Sequence, residues 1–341
     1  MTLAPGEPGA DPFAVREVRV RQKRWEAEGV MSLELQPLDG SPVPAWTPGS
    51  HIDVVLPSGL VRQYSLCGDP ADPTSYTIAV LRDVNGKGGS KEIHDSSLVG
   101  ETLGIRGPRN HFKLREADSY LLIAGGIGIT PILTMARRLD QEGAPYRVLY
   151  TGRTRVAMAF QAELAALGGV QVNCDDETGQ VDVDAVVGGL EPGTEIWCCG
   201  PEGLLRAVEA AGARYAVKVH VERFGTQAPP EQRRTSVVAV AAPAAGGAAE
   251  VVGDSFEVEL RRSGVTLKVD PDRTILESVR EYLPGVISSC EEGFCGACET
   301  RVLEGIPDHR DEVLDDTDRA TNETMMICVS RSCSPKLVLD L

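Results

Sequence analysis

Positive charge is the first thing this chain is short of. Lys and Arg number 34 against 50 Asp and Glu in 341 residues, a net charge of −16 with histidine neutral. Binding along a phosphate backbone needs clustered basic side chains, so nucleic acid is excluded as a partner. The acid excess suits a soluble protein that meets a basic surface. A leader is not expected either. The first residues, "MTLAPGEPGADPF", have neither a basic n-region nor an apolar h-region, so no signal peptide is expected and a cytoplasmic location is predicted. No uninterrupted apolar span occurs. The uncharged run Ser119 to Ala136, "SYLLIAGGIGITPILTMA", approaches spanning length, but Gly125, Gly126, Gly128 and Pro131 break it. It reads as a buried strand, a glycine loop and a helix start, and no membrane association is expected. The histidines, His51, His94, His111, His220 and His309, are scattered and read as structural or surface residues. No acid–base dyad is evident.

Cysteine, by contrast, is plentiful. Nine thiols in a chain with no export signal suggest a reducing compartment, where patterned cysteines bind metal or do chemistry. The length suggests two or three domains. Over 12–113, short β-rich runs such as "HIDVVLPSG", "VRQYSLCG", "SYTIAVLRD" and "ETLGIRGP" alternate with turns, which predicts an antiparallel barrel or sandwich. Over 118–224, apolar runs such as "YLLIAG" and "EIWCCG" alternate with the helical "PILTMARRLDQEG" and "PEGLLRAVEAAG", a βαβ pattern with a parallel sheet. Residues 226–253, rich in Ala, Pro and Gly, read as a linker. Residues 254–341 form a third unit, with "FEVELRRSGVTLKV" a hairpin and "TILESVREYL" a helix.

Three constellations carry chemistry. The stretch "SCEEGFCGACETRV" gives Cys290-x4-Cys295-x2-Cys298, and Cys328 follows after 29 intervening residues. That is the spacing of plant-type 2Fe-2S ligation. Zinc fits less well, since four-cysteine zinc sites usually show two paired elements. Cys333 is an alternative last ligand; Cys328 is preferred because it sits in the apolar run "MMICV". Second, in "LLIAGGIGITPIL" a strand runs into Gly125, Gly126 and Gly128, with Pro131 in the first helical turn. Such a turn suits a pyrophosphate. A second strand end, Cys199-Gly200-Pro201, makes a crevice at the carboxyl edge of the sheet. Third, "VRQYSL" offers Arg62 for a phosphate and Tyr64 for stacking on a flat ring. The loop Lys87, Gly88, Gly89 and Ser90 could cradle that phosphate.

Together with "PDHRDEVL" and the ending "LVLDL", these motifs occur in the order of one family. The chain resembles the phthalate dioxygenase reductase family over nearly its whole length. The resemblance implies a multi-domain protein: an antiparallel β-barrel flavin domain over 1–115, with 1–11 flexible, a parallel-sheet α/β nucleotide domain over 116–225, the 226–253 linker, and an α+β (β-grasp) ferredoxin domain over 254–341. It implies FMN, NADH and a 2Fe-2S cluster as cofactors. Arg62 and Ser90 would hold the FMN phosphate, Tyr64 would pack on the ring, and Ser65 would bond near its reactive nitrogen. Ala79 and Val80 would meet the ring edge by backbone. Thr130 and Phe224 would approach the flavin from the next domain. NADH would lie on Gly126 and Gly128, with Cys199 near the nicotinamide and Pro201 beside it. Cys290, Cys295, Cys298 and Cys328 would bind the cluster. A monomer that serves a terminal Rieske or cytochrome P450 oxygenase is implied. FAD or NADPH versions stay open, as does an electron-transfer or sensor protein without its own NADH oxidation. Asp175 and Asp176 after a strand favour NADH over NADPH. The acids Asp311, Glu312, Asp315 and Asp316, just before Cys328, are expected to steer docking onto a basic partner.

Overall fold

Each of the four β-rich runs singled out in the first third is a strand, and their apolar positions turn inward together. The structure, a computed structural model, describes residues 11–224 and 255–341. The 226–253 linker, and all but the last of the first eleven residues, lie outside the described residues. The chain divides into two compact units, Met1–Phe224 and Gly225–Leu341.

The first unit begins with β1 (Arg16–Ala27), β2 (Val30–Pro37), β3 (His51–Val55), β4 (Val61–Ser65), β5 (Tyr76–Leu81) and β6 (Thr102–Arg109). They form one antiparallel sheet in the order β4-β3-β6-β1-β2-β5. Its two edges meet, because Leu66 bridges to Ile78 and the Cys67 N–H donates to the Thr77 carbonyl at 2.9 Å. The sheet is therefore a barrel, which removes exposed strand edges. Val18, Val20, Leu33, Leu35, Ile52, Val54, Ile78 and Ile105 fill it. The short helix α1 (Gly89–Asp95) follows β5.

The same unit continues with β7 (Ser119–Gly125), β8 (Tyr146–Gly152), β9 (Val170–Cys174), β10 (Thr194–Cys199) and β11 (Val219–Glu222), parallel in the order β11-β10-β7-β8-β9. Between them run α2 (Ile129–Glu142), α3 (Gln161–Ala165), α4 (Asp175–Thr178), α5 (Val183–Gly188) and α6 (Glu202–Tyr215). The central strand β7 is buried on both faces, which is why it reads as continuously apolar. Leu122 and Ala124 point to the α2 side, while Leu121 and Ile123 point to α6, where Leu205 and Val208 cover them. The α2-side core also takes in Ala27, Val30, Cys67 and Ala79 from the barrel. Barrel and parallel sheet thus share buried apolar surface and make one unit.

The second unit has β12 (Phe256–Leu260), β13 (Val265–Val269), β14 (Glu299–Glu304), β15 (Pro307–Asp308), β16 (Thr324–Met326), β17 (Arg331–Ser332) and β18 (Lys336–Leu339). β12 and β13 are the expected hairpin, with Phe256 opposite Val269. β18 lies parallel to β12 and antiparallel to β14, giving the mixed order β13-β12-β18-β14-β16. A helix, Ile275–Arg280, packs Ile275, Leu276 and Val279 into this core. Thr274 and Glu277 start it with a reciprocal capping box.

Candidate functional site

The loop between β5 and α1 is shaped by contacts that Arg62 and α1 make with the barrel. Arg62 Nη2 donates to the Lys87 carbonyl at 3.0 Å. A Cβ on Gly89 would lie 2.6 Å from Arg62 Cγ, so only glycine lets the arginine stem lie across the helix start. Gly88 has φ +92°, the left-handed turn into α1. The Ser90 hydroxyl accepts the Asp83 N–H at 3.0 Å and closes the loop. At the other end of α1, Lys23 Nζ donates to the carbonyls of Ile93, His94 and Ser96 at 2.7, 2.8 and 3.1 Å. A cation on the last carbonyls of a helix satisfies groups that have no partner within the helix. Burial holds the Lys23 ammonium below its usual range, against the pull of Asp95. His94 bonds the Val80 carbonyl at 2.9 Å, so that carbonyl of β5 is already engaged. Tyr64 is half-buried one residue before Ser65, and burial pushes its phenol well up.

A second group of site residues meets where the barrel touches the carboxyl ends of β10 and β11. The Ser65 hydroxyl donates to Glu222 Oε2 at 3.4 Å, and the Cys199 thiol lies 4.0 Å from the same oxygen. Register fixes the latter pair, since Cys199 and Glu222 are partners across parallel β10 and β11. Burial pushes the Glu222 carboxyl up to about 8, only partly offset by the bond from Ser65. Burial first, and Glu222 second, push the Cys199 thiol well above its usual range. Cys199 is therefore a neutral thiol at neutral pH and not an activated nucleophile. Glu222 was missed from sequence, where no acid–base pair is evident. The available signal is a carboxylate at the carboxyl end of a strand, two residues before the singled-out Phe224.

The two glycine turns interlock, and this changes what their glycines are for. A Cβ on Gly128 would sit 2.1 Å from the Cys199 carbonyl oxygen. One on Gly125 would sit 2.6 Å from Pro201 Cδ, and one on Gly200 would sit 3.0 Å from Gly125 Cα. These three let β7 and β10 end against one another. Gly126 is different: it has φ +55° and open space around its Cβ position. Of the glycines expected to bear NADH, only Gly126 faces a free volume. Thr130 is buried, and its hydroxyl donates to the Ile127 carbonyl at 3.0 Å, tying the first turn of α2. Pro131 lies in that turn. Phe224 is 47% exposed at the end of the first unit.

At the far edge of the sheet, Asp175 and Asp176 open α4 directly after β9. The Asp175 carboxylate accepts from Thr151 Oγ1 and Asn173 Nδ2, both at 3.3 Å. Beside them Arg155 is bidentate to Glu177, at 2.8 and 2.5 Å.

In the second unit the four patterned cysteines converge, and all are free thiols standing where thiolate ligands would be. Cys290 is pushed well below the usual thiol range by hydrogen bonds from Cys295 and then Cys328, while Cys328 is pushed up by contact with Cys290 and Cys298. Backbone N–H groups aim at the sulfurs: Glu292 N at Cys290 Sγ, 3.3 Å, and Ala297 N at Cys295 Sγ, 3.4 Å. Gly293 and Gly296 take positive φ of 79° and 75° to allow it. Among the described residues, the group of ligand atoms lying mutually within 4.8 Å is Cys174, Asp176 and Glu177, not the four thiols. The four thiols, with backbone N–H groups on two of their sulfurs, fit an iron–sulfur centre. Cys333 is exposed and away from this core, whereas Cys328 is buried in it.

The acidic stretch departs from expectation. Asp311 is 4% exposed, and its carboxylate accepts the Val313 and Leu314 N–H groups at 3.0 and 2.8 Å. It shapes the loop that covers Gly293, whose carbonyl accepts the Glu312 N–H at 2.9 Å. Asp315 caps the helix Asp316–Thr321 by accepting the Asp318 N–H. Of the four expected steering acids, Glu312 and Asp316 are exposed.

Residues 258–333 match the family of 2Fe-2S iron-sulfur cluster binding domains. The chain is 38% identical over 336 residues to a phenoxybenzoate dioxygenase subunit beta from Ectopseudomonas oleovorans, spanning 97% of this chain and 99% of that one. Its fold is similar to a solved phthalate dioxygenase reductase, described as a modular structure for electron transfer from pyridine nucleotides to 2Fe-2S. That match has a TM-score of 0.65 at 36% identity, covering 96% and 98% of the two chains. An intact type IV self-sufficient cytochrome P450 monooxygenase matches with a TM-score of 0.80 at 40% identity, over 98% of this chain and 43% of that one. The barrel, the parallel sheet and the cysteine-bearing β-grasp unit are shared with these proteins, and the chain belongs to the phthalate dioxygenase reductase family.

Proposed function

We propose that this protein is the reductase component of an oxygenase system. It takes electrons from NADH through FMN and a 2Fe-2S cluster to a terminal oxygenase, a Rieske non-haem iron enzyme or a cytochrome P450. The observation that carries this is the meeting of Ser65, Cys199 and Glu222 in a chain that also gathers four thiols on a 2Fe-2S fold. Flavin and cluster together supply the conversion of a two-electron donor into one-electron steps.

The chain's own residues do the positioning. Arg62, with Lys87, Gly88, Gly89 and Ser90, forms the phosphate end of the flavin site, and Lys23 fixes α1 so that this end is preformed. Tyr64, Ala79 and Val80 border the ring. Phe224 is exposed enough to lie against it, and Thr130 holds the α2 turn nearby. The Val80 carbonyl bond to His94 leaves the rest of that β5 edge for the flavin. Gly126 gives the pyridine nucleotide its open approach, while Gly125, Gly128, Gly200 and Pro201 hold the crevice closed behind it. Cys199 presents a neutral, dry wall to the nicotinamide. Glu222 keeps a proton at neutral pH and orients the Ser65 hydroxyl. Asp175 and Asp176 place two carboxylates at this edge and Arg155 is committed to Glu177, which supports NADH over NADPH. Cys290, Cys295, Cys298 and Cys328 are the cluster ligands. The working division is 1–115, 116–225 and 254–341, acting as a monomer in the cytoplasm.

The test is direct. Purified protein should show flavin and iron–sulfur absorption that bleaches on anaerobic addition of NADH. Heat-released flavin should run as FMN on chromatography. Release of FAD, faster turnover with NADPH, or a spectrum that NADH leaves unchanged would each sink the corresponding part.

A further inference from the structure

The residue after Cys290 decides what that sulfur meets. Glu291 has φ +63°, a left-handed conformation that costs a residue with a side chain about 1 kcal/mol or more. The reversal turns the next N–H, that of Glu292, onto Cys290 Sγ at 3.3 Å. Something must hold Glu291 there. Its carboxylate Oε1 accepts from Arg280 Nη2 and, at 3.1 Å, from Ser288 Oγ; the same Nη2 also donates to Ser288 Oγ. Arg280 is the last residue of the helix Ile275–Arg280. That helix is rigid: Thr274 and Glu277 cap its start, and Ile275, Leu276 and Val279 are buried in the core. A fixed element outside the loop therefore grips the one strained residue beside a cluster ligand.

We propose that Arg280 is a positioning residue for the iron–sulfur centre. By clamping Glu291 in its left-handed conformation it keeps the Glu292 N–H on the Cys290 sulfur, and so helps set the centre's reduction potential. The proposal rests on the reading that Cys290, Cys295, Cys298 and Cys328 hold the cluster. The physical link is general: an N–H donor to a ligand sulfur stabilises the more negative, reduced state, and its loss makes reduction harder.

Arg280 also carries a charge, and losing that charge alone would lower the potential. The experiment separates the two effects through glycine, which adopts positive φ without penalty. Full-length protein is prepared anaerobically as wild type, Arg280→Ala, Glu291→Gly and the double variant, and iron and sulfide are measured first. Midpoint potentials are then followed by electron paramagnetic resonance. Fe–S(Cys) stretching bands are recorded by resonance Raman in H2O and D2O, because a deuterium shift reports N–H···S bonding and is blind to remote charge. Arg280→Ala should lower the potential and lose part of the deuterium shift. Glu291→Gly should keep the shift, and the double variant should regain it. An unchanged shift in Arg280→Ala, or a double variant that resembles Arg280→Ala, overturns the proposal. If Arg280→Ala fails to keep its cluster, the double variant decides: a full cluster with the wild-type shift supports the clamp, and anything less overturns it. Wild-type protein without iron and sulfide would instead refute the cluster reading, which the opening analysis detects separately.

Discussion

The two chemical centres of this chain are built in opposite ways. The junction of the first unit joins Ser65, Cys199 and Glu222, which are far apart in sequence and meet only through the register of two sheets. The cluster site of the second unit takes three of its four thiols from the nine residues 290–298, with Cys328 supplied from just past β16. A junction assembled by tertiary register depends on how closely strands approach. A site assembled by one loop depends on local backbone conformation and on what grips it. The two should therefore break under different substitutions.

The largest effect is expected at the local site. Cys328→Ser should abolish cluster binding and cut NADH-dependent reduction of cytochrome c by about 100-fold or more, at least the upper end of what losing a partner behind a metal ligand costs. NADH oxidation with ferricyanide should persist. Cys333→Ser should keep full iron and sulfide, and the reverse pattern would move the fourth ligand. The register-built junction is broken instead by Gly128→Ala, whose new Cβ would fall 2.1 Å from the Cys199 carbonyl oxygen. Overpacking of this kind costs about 1–3 kcal/mol. The loss should appear both in denaturant midpoint and in the ferricyanide rate, with cluster content intact. Gly126→Ala, with open space at its Cβ, should cost the fold only the conformational penalty of a positive φ, and should show instead as a raised KM for NADH.

Glu222→Gln sharpens the comparison more gently. The folded protein holds the Glu222 proton up to about 8, against an ordinary value of 4.5, so it binds a proton that the unfolded chain releases between those values. That contribution to stability is complete below 4.5 and is lost as pH rises to 8. The variant should lose this slope, so its melting temperature relative to wild type should rise from pH 5 to pH 9. Glu222→Ala, which removes the acceptor for Ser65, should slow ferricyanide reduction by about tenfold, the scale of one hydrogen bond of about 1.4 kcal/mol, whereas Gln, whose amide oxygen still accepts, should not. A parallel pair of melting curves would show that Glu222 holds no raised proton in the folded protein. The smallest effect belongs to the exposed acids. Changing Glu312 and Asp316 to Gln and Asn should slow oxygenase reduction about two- to threefold at low salt and not at high salt, as screening predicts. Asp311→Asn should instead lower stability, because its carboxylate holds two backbone N–H groups.

The gathering of the patterned thiols was largely readable in the sequence, because spacing along the chain is spacing in space when residues lie on one turn. That Cys328 is buried was readable from its apolar neighbours, which are the core it lies in. The strands and both long helices were readable from periodicity. What could not be read was anything set by approach between distant elements. Glu222 looked like one more acid in an acidic chain. Gly128 looked like a ligand glycine, yet its missing side chain makes room for β10. Asp311 looked like surface charge, and only the fold shows the two N–H groups that bury it. Lys23, which fixes α1 across 70 residues of sequence, carried no local mark at all.

The facing glycines at the ends of β7 and β10 have an evolutionary consequence. Most tight contacts in a protein core leave a way back, since a larger residue on one side can be answered by a smaller one on the other. Gly125 and Gly200 lie with only 3.0 Å between a Cβ on one and the backbone of the other, and neither has a side chain left to give up. A damaging substitution at Gly200, whose new Cβ meets the Gly125 backbone first, should therefore have no compensating partner at Gly125. A search for suppressors of Gly200→Ala should return revertants, or changes that move a whole strand, and not a second substitution at Gly125.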